Sequence, residues 1–88
     1  MAHFVKIENG KAEQVIVISN NDCAGGEFPT SEPAGQTFIA SLGLTGEWLQ
    51  CSYNNNFRGI YPHGVGYSYD AINDVFVAPL PTPKPEQP

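Results

Sequence analysis

The chain has 88 residues, with 4 Lys and Arg against 9 Asp and Glu, a formal net charge of -5, and 41% hydrophobic against 15% charged residues. That length gives one small domain at most, in which core burial and ordering entropy nearly cancel. So few cations exclude nucleic acid as the expected partner, because neutralising phosphates needs Lys and Arg in number.

No apolar run approaches the ~20 residues of a membrane helix, and Met1-Ala2-His3-Phe4-Val5-Lys6 lacks the charged start and long apolar stretch of a signal peptide. Met1 reads as the natural start of a small open reading frame. Residues 2–8 and 12–19 flank Glu8-Asn9-Gly10-Lys11. Asn-Gly favours a type I′ turn, in which both central residues take positive φ, so the pair predicts a β-hairpin. Its second strand carries Val15-Ile16-Val17-Ile18, a β-branched run expected to be buried on both faces. Residues 19–30 hold Asn20, Asn21, Asp22, Gly25, Gly26 and Pro29, which is loop chemistry. Asn20-Asn21-Asp22 reads as an Asx-turn, with a hard-cation site as the alternative.

A helix is predicted over residues 32–42. Thr30 or Ser31 can cap it, Pro33 suits its first turn, and Glu32 complements its dipole. Phe38, Ile39 and Leu42 share a face with Ala34, and Gly43 is placed to end it. Residues 47–53 read as a third strand. Residues 54–64 form a long loop, and loops of that length are often functional. Residues 66–70 and 74–78 read as a last hairpin around Asp70-Ala71-Ile72-Asn73-Asp74, whose two carboxylates are read as hydrogen-bond acceptors in the turn rather than as an acid–base pair. From Pro79 onward proline takes every second position as far as Pro85. Such a segment cannot join a sheet interior and is expected to be extended, near polyproline II. The expectation is a single α+β domain over residues 1–78. It comprises a small antiparallel sheet (N-terminal hairpin, third strand, C-terminal hairpin) with one short helix on one face, followed by an extended arm over residues 79–88.

The candidate chemistry is sparse. Cys23 and Cys51 are read as buried thiols; the alternatives are a disulfide closing a loop of about 27 residues, or a metal set with His3 and His63, whose spacing fits no zinc-finger pattern. Cys51 with His63 is the one nucleophile–base pair that can be sketched, and no Gly-rich loop precedes a helix in a phosphate-binding form. The chain is therefore expected not to be an enzyme and to need no cofactor or metal. The aromatic cluster Tyr53, Phe57, Arg58, Tyr61, Tyr67 and Tyr69 has the composition of a binding hot spot. It equally suits a small domain's own core, with Arg58 as an internal loop clamp. Tyr53, Phe57, Arg58, Tyr61 and Tyr67, with Pro79, Pro81 and Pro83 of the arm, are the candidate partner-binding residues.

Met1-Ala2-His3-Phe4-Val5-Lys6-Ile7, Gln14-Val15-Ile16-Val17-Ile18-Ser19-Asn20-Asn21-Asp22-Cys23, Gly35-Gln36-Thr37-Phe38-Ile39-Ala40-Ser41-Leu42-Gly43-Leu44 and Trp48-Leu49-Gln50-Cys51-Ser52-Tyr53-Asn54 resemble small virion-associated proteins of marine bacteriophages, of the cyanophage type. The resemblance continues through Asn56-Phe57-Arg58-Gly59, Gly66-Tyr67-Ser68-Tyr69-Asp70 and Asp74-Val75-Phe76-Val77-Ala78-Pro79, and so covers nearly the whole chain. Related sequences often run past this point with a Trp-containing segment, where this chain has Pro-Thr-Pro-Lys-Pro-Glu-Gln-Pro. The resemblance implies a phage structural protein, present in the host cytoplasm before assembly and then in the virion. Its expected role is capsid decoration or cement, docking in many copies on capsid proteins through residues 54–63 and the arm, with a homo-oligomer as a further arrangement and no nucleic acid or membrane partner. The alternatives are a tail or tail-fibre accessory protein, and a small host-directed protein that acts by binding a host protein.

Overall fold

The computed structural model describes residues 1–23, 25–64 and 66–79. The chain is α+β: strands β1 (Ala2–Glu8), β2 (Lys11–Ile18), β3 (Glu47–Cys51), β4 (Ser68–Asp70) and β5 (Val75–Val77), one helix α1 (Ser31–Ser41), and a 3-10 turn over Asn20–Cys23. The strands form one five-stranded sheet in the order β3-β1-β2-β4-β5, every neighbouring pair antiparallel. The β1–β2 turn is the tight one that Asn-Gly predicts, with φ of 54° at Asn9 and 77° at Gly10.

Alternation along β1 sorts the interior into two layers. Ala2 and Phe4 face α1 and pack with Ile18, Cys23, Ile39 and Trp48. Val5 and Ile7 lie in the other layer, with Leu49, Cys51 and Phe76. Phe76 reaches that layer because the sheet curls: Gly59 makes a parallel bridge to Phe76, and Phe76 N donates to Arg58 O at 2.8 Å. The segment after β3 thus comes round to the far edge of the sheet, beside β5.

Three local expectations are corrected. The run at residues 15–18 is not buried on both faces, since Val17 is 47% exposed and only Ile18 is buried. The cause is that β4 pairs with β2 at Lys11 alone and then diverges, so the rest of β2 has no described strand on its outer side. The buried stripe of α1 is Ser31, Gly35 and Ile39, while Leu42 is 55% exposed. Gly35 is required there because a Cβ would lie 2.6 Å from Cε1 of Phe4, itself fully buried. Thr30, at the cap position, makes no side-chain cap bond, and Ser31 Oγ instead donates to Gln50 Oε1 at 2.6 Å. Gly43 does end the helix, at φ 83°. Cys23 and Cys51 are free, buried thiols in opposite layers of the sheet.

Candidate functional site

The candidate partner-binding residues fall into two groups. Phe57 and Arg58 lie at the β3 edge beside the helix. Phe57 stacks on Phe28 with ring centroids 3.9 Å apart, and the Arg58 guanidinium lies 5.0 Å from the Phe28 centroid. Arg58 also forks onto Glu32, with Nη1 on Oε2 and Nη2 on Oε1 at 3.1 Å. Its Nε donates to Asp74 Oδ1 at 2.9 Å and its Nη1 to Gln50 O at 3.0 Å. The side chain is 9% exposed and its donors are directed inward. Burial alone would lower its pKa, but hydrogen bonding and charge from Glu32, then from Asp74, outweigh this and raise it.

These contacts close the outer edge of β3. Gln50 N donates to Glu32 Oε2 at 2.8 Å, Gln50 O accepts from Arg58, and Trp48 O accepts from Gln36 Nε2 at 2.6 Å. Side chains therefore occupy backbone groups that would otherwise template another strand. Arg58 serves both ends of the sheet, its guanidinium on β3 and its carbonyl on β5. Its φ of 56°, costly for a side chain of this size, is what lets one residue face both ways.

The second group is a row of rings. Alternation on β1 puts His3 on the layer opposite α1, and the chain leaving β3 brings Tyr53 beside it. Asparagines then turn the loop back: Asn55 (φ 60°) accepts from Tyr61 N through Oδ1 at 2.8 Å, and Ser52 Oγ accepts from Asn56 N at 2.9 Å. Tyr61 is thereby set edge-on to both His3 (5.6 Å) and Tyr53 (5.3 Å), while His3 and Tyr53 stack at 5.4 Å. The row continues through His63, 6.2 Å from Tyr61 and 5.1 Å from Tyr67. Tyr67 OH and His63 Nε2 are 2.9 Å apart. Tyr53 is 65% exposed and Ile60 beside it 36%.

Two hollows share Tyr61 and His63. One, of about 510 Å³, is lined by Tyr53, Asn55, Ile60, Tyr61 and His63. The other, of about 410 Å³, lies between residues 11–15 of β2 and Tyr61, Pro62, His63, Gly64 and Gly66. Pro79 adjoins the second hollow, since a Cβ on Gly66 would lie 3.0 Å from its Cβ. Pro81 and Pro83 lie outside the described residues.

Burial, then the N-terminal charge, lowers the pKa of His3, and burial raises that of Tyr61, so both shifts favour the uncharged ring. Cys51 has its thiol pushed up to about 12 by burial, and the His63 Nε2 that could have served as its base faces Tyr67 instead. Among the described residues no group of three or more His, Cys, Asp or Glu could hold a metal ion. Asp70 and Asp74 are engaged locally. Asp70 accepts from Ile72 N and from both nitrogens of Asn73, while Asp74 accepts from Tyr69 OH at 2.5 Å and from Arg58. The row can therefore offer flat apolar faces with polar tips, a chemistry suited to gripping a partner's side chains. His3 was missed as a site residue in the sequence. Strand alternation fixes its face, but only the loop's return puts Tyr53 and Tyr61 against it.

Fold and site together define a small α+β domain with a curled antiparallel sheet and an exposed aromatic–imidazole row at one end. No protein-family model, curated protein or solved structure matches the chain.

Proposed function

We propose that this chain is a structural component of a phage particle, a capsid decoration or cement protein that docks on the major capsid lattice through its aromatic row. The class of particle rests on the resemblance to virion-associated proteins of marine phages. The observation that carries the docking reading is Tyr53: it is 65% exposed, yet it is held by His3 and Tyr61 in a fixed stack. A large ring already ordered loses little entropy on contact, which is the property of an interface anchor. Burying it would contribute ~1–2 kcal/mol per copy, and many copies on one lattice would add avidity.

Mass spectrometry of purified particles with copy counting tests the reading. Hundreds of copies per particle support decoration. Tens or fewer would move the protein to the tail or its fibres, and none would favour a host-directed binder. In the decoration case Tyr53→Ala lowers particle occupancy about tenfold while the isolated domain melts as before.

A further inference from the structure

Gln50 has a polar group to spare. Its backbone is engaged at the β3 edge, where N donates to Glu32 Oε2 and O accepts from Arg58 Nη1. Its side chain lies on the α1 side, where Oε1 accepts from Ser31 Oγ at 2.6 Å. That leaves Nε2, which has no hydrogen-bond partner among the described residues. Gln50 is only 7% exposed. Yet no fully buried side-chain nitrogen or oxygen among the described residues lacks a partner, so Nε2 is reachable from outside. The opening is a hollow of about 360 Å³ that Gln50 lines together with Glu27, Phe28, Phe57, Asn20 and Asn56.

The second observation is a stack that stops. The Arg58 guanidinium lies 5.0 Å from the Phe28 centroid, and Phe28 lies face to face with Phe57 at 3.9 Å and 2°. Phe57 ends this column, since no further ring or cation stacks on it among the described residues. Phe57 lines the same hollow as Gln50.

We propose that the hollow binds a neutral, flat heteroaromatic ring carrying a carbonyl oxygen, the chemistry of a nucleobase without its phosphate. The ring lies against Phe57 and extends the column, and its carbonyl accepts from Gln50 Nε2. Aromatic faces take up bases in this way irrespective of sequence, and a few placed polar groups in an otherwise apolar hollow fix the orientation. Neutrality follows from charge. Glu27 is the only ionisable side chain among the lining residues, and with the net charge of -5 it opposes a phosphate. The same deficit of cations that excludes a nucleic-acid chain leaves an uncharged base unopposed. Asn20 and Asn56 are exposed at the rim, and their side-chain amides make no hydrogen bond among the described residues, so they can meet the hydroxyls of an attached sugar. The hollow lies on the α1 side of the sheet and the aromatic row on the other, so this inference does not rest on the docking reading.

NMR titration of the isotope-labelled full chain with uridine and inosine tests it. The proposal requires saturable shifts at the Gln50 side-chain amide and at Phe57. Dihydrouridine keeps the carbonyls on a ring that is no longer flat or aromatic, and it is expected to bind at least about tenfold more weakly than uridine. Gln50→Met is expected to weaken uridine by a similar factor, and uridine monophosphate to bind no more tightly than uridine. If Gln50→Met fails to fold, the dihydrouridine comparison, which needs no variant, decides. No saturable shift with either nucleoside would overturn the proposal, as would dihydrouridine binding as tightly as uridine. Shifts confined to His3, Tyr53 and Tyr61 would refute this site. N-acetylglycinamide matching the nucleosides would assign the hollow to a partner's peptide carbonyl and refute the ring.

Discussion

Truncating Arg58 to alanine is expected to cost more stability than any other single change outside the apolar core. The side chains of Arg58 and Glu32 are 9% and 16% exposed, so their ion pair is largely removed from water. Removing the guanidinium strands the Glu32 carboxylate, leaving it Gln50 N as its one donor among the described residues. Breaking a buried pair from one side costs ~3–5 kcal/mol. The contact with Asp74 adds less than ~1 kcal/mol, because that carboxylate is 54% exposed. The lost cation–π contact on Phe28 adds ~0.5–1 kcal/mol. A net cost of ~4 kcal/mol is a large share of the ~4–13 kcal/mol that a chain of this length holds. It corresponds to a melting temperature lower by ~15–30 °C. Urea titrations of Arg58→Ala, Glu32→Gln and the Glu32→Gln/Arg58→Met double variant test the reasoning. The double variant leaves no charge stranded and is expected to be at least ~2 kcal/mol more stable than the sum of the two single effects. If Arg58→Ala falls within ~1 kcal/mol of the parent chain, or if the double variant is simply additive, the clamp is not what holds loop, helix and β3 together.

Gly35→Ala drives a methyl into the fully buried Phe4 ring and is expected to destabilise by ~2–3 kcal/mol, read from a shifted urea midpoint; a neutral result would show that the helix can slide off β1. Alkaline stability follows from Tyr69, whose phenol is pushed up to about 12 by burial and then by its hydrogen bond to Asp74, and from Cys51, pushed up to about 12 by burial. Both folded values lie above the ordinary ones of 10.0 and 9.0, so the unfolded chain releases these protons first. Their contribution is complete below pH 9 and declines as pH rises toward 12, and urea midpoints that stay level across that range would contradict the assignment. With Cys23 and Cys51 in opposite layers, both thiols are expected to resist alkylation at neutral pH in the folded chain, to react on unfolding, and to remain unpaired under mild oxidant by mass.

The elements whose signals are local were legible in the sequence. Asn9-Gly10 specified the first hairpin because the turn type needs two positive φ values, and Asn9 and Gly10 supply them. The helix was found to within a residue at each end because Glu32, Pro33 and Gly43 mark its boundaries. The burial of its faces was not, because the helix packs a glycine against a phenylalanine 31 positions earlier in the chain, and periodicity of apolar residues cannot register a missing side chain. The run at residues 15–18 misled for a related reason. Hydrophobicity reports what a strand could bury, while the short pairing of β4 at Lys11 decides what it does bury among the described residues. At the site, composition singled out the aromatic loop and weighed Arg58 as a clamp. It could not separate Phe57 and Arg58 from Tyr53, Tyr61 and Tyr67, since that division depends on which way each side chain leaves a loop with positive φ at Asn55 and Arg58.

That division also decides which variants can speak about binding. Tyr61 belongs to both systems: it packs against the layer of Val5, Ile7, Leu49, Cys51 and Phe76, and it is the ring that orders His3 and Tyr53. Its removal would open a cavity and disorder the row together, so a loss of particle occupancy in Tyr61→Ala could arise from either cause. Phe57 has the same ambiguity through Phe28 and the Arg58 clamp. Tyr53 is different. Its ring lies outside both interior layers, is mostly solvated, and rests on its neighbours rather than supporting them. A change there alters the face offered to a partner while the buried layers keep their contacts. The domain thus keeps its stabilising clamp at the β3 edge and its exposed rings at the end of the opposite layer, so the two can be perturbed one at a time.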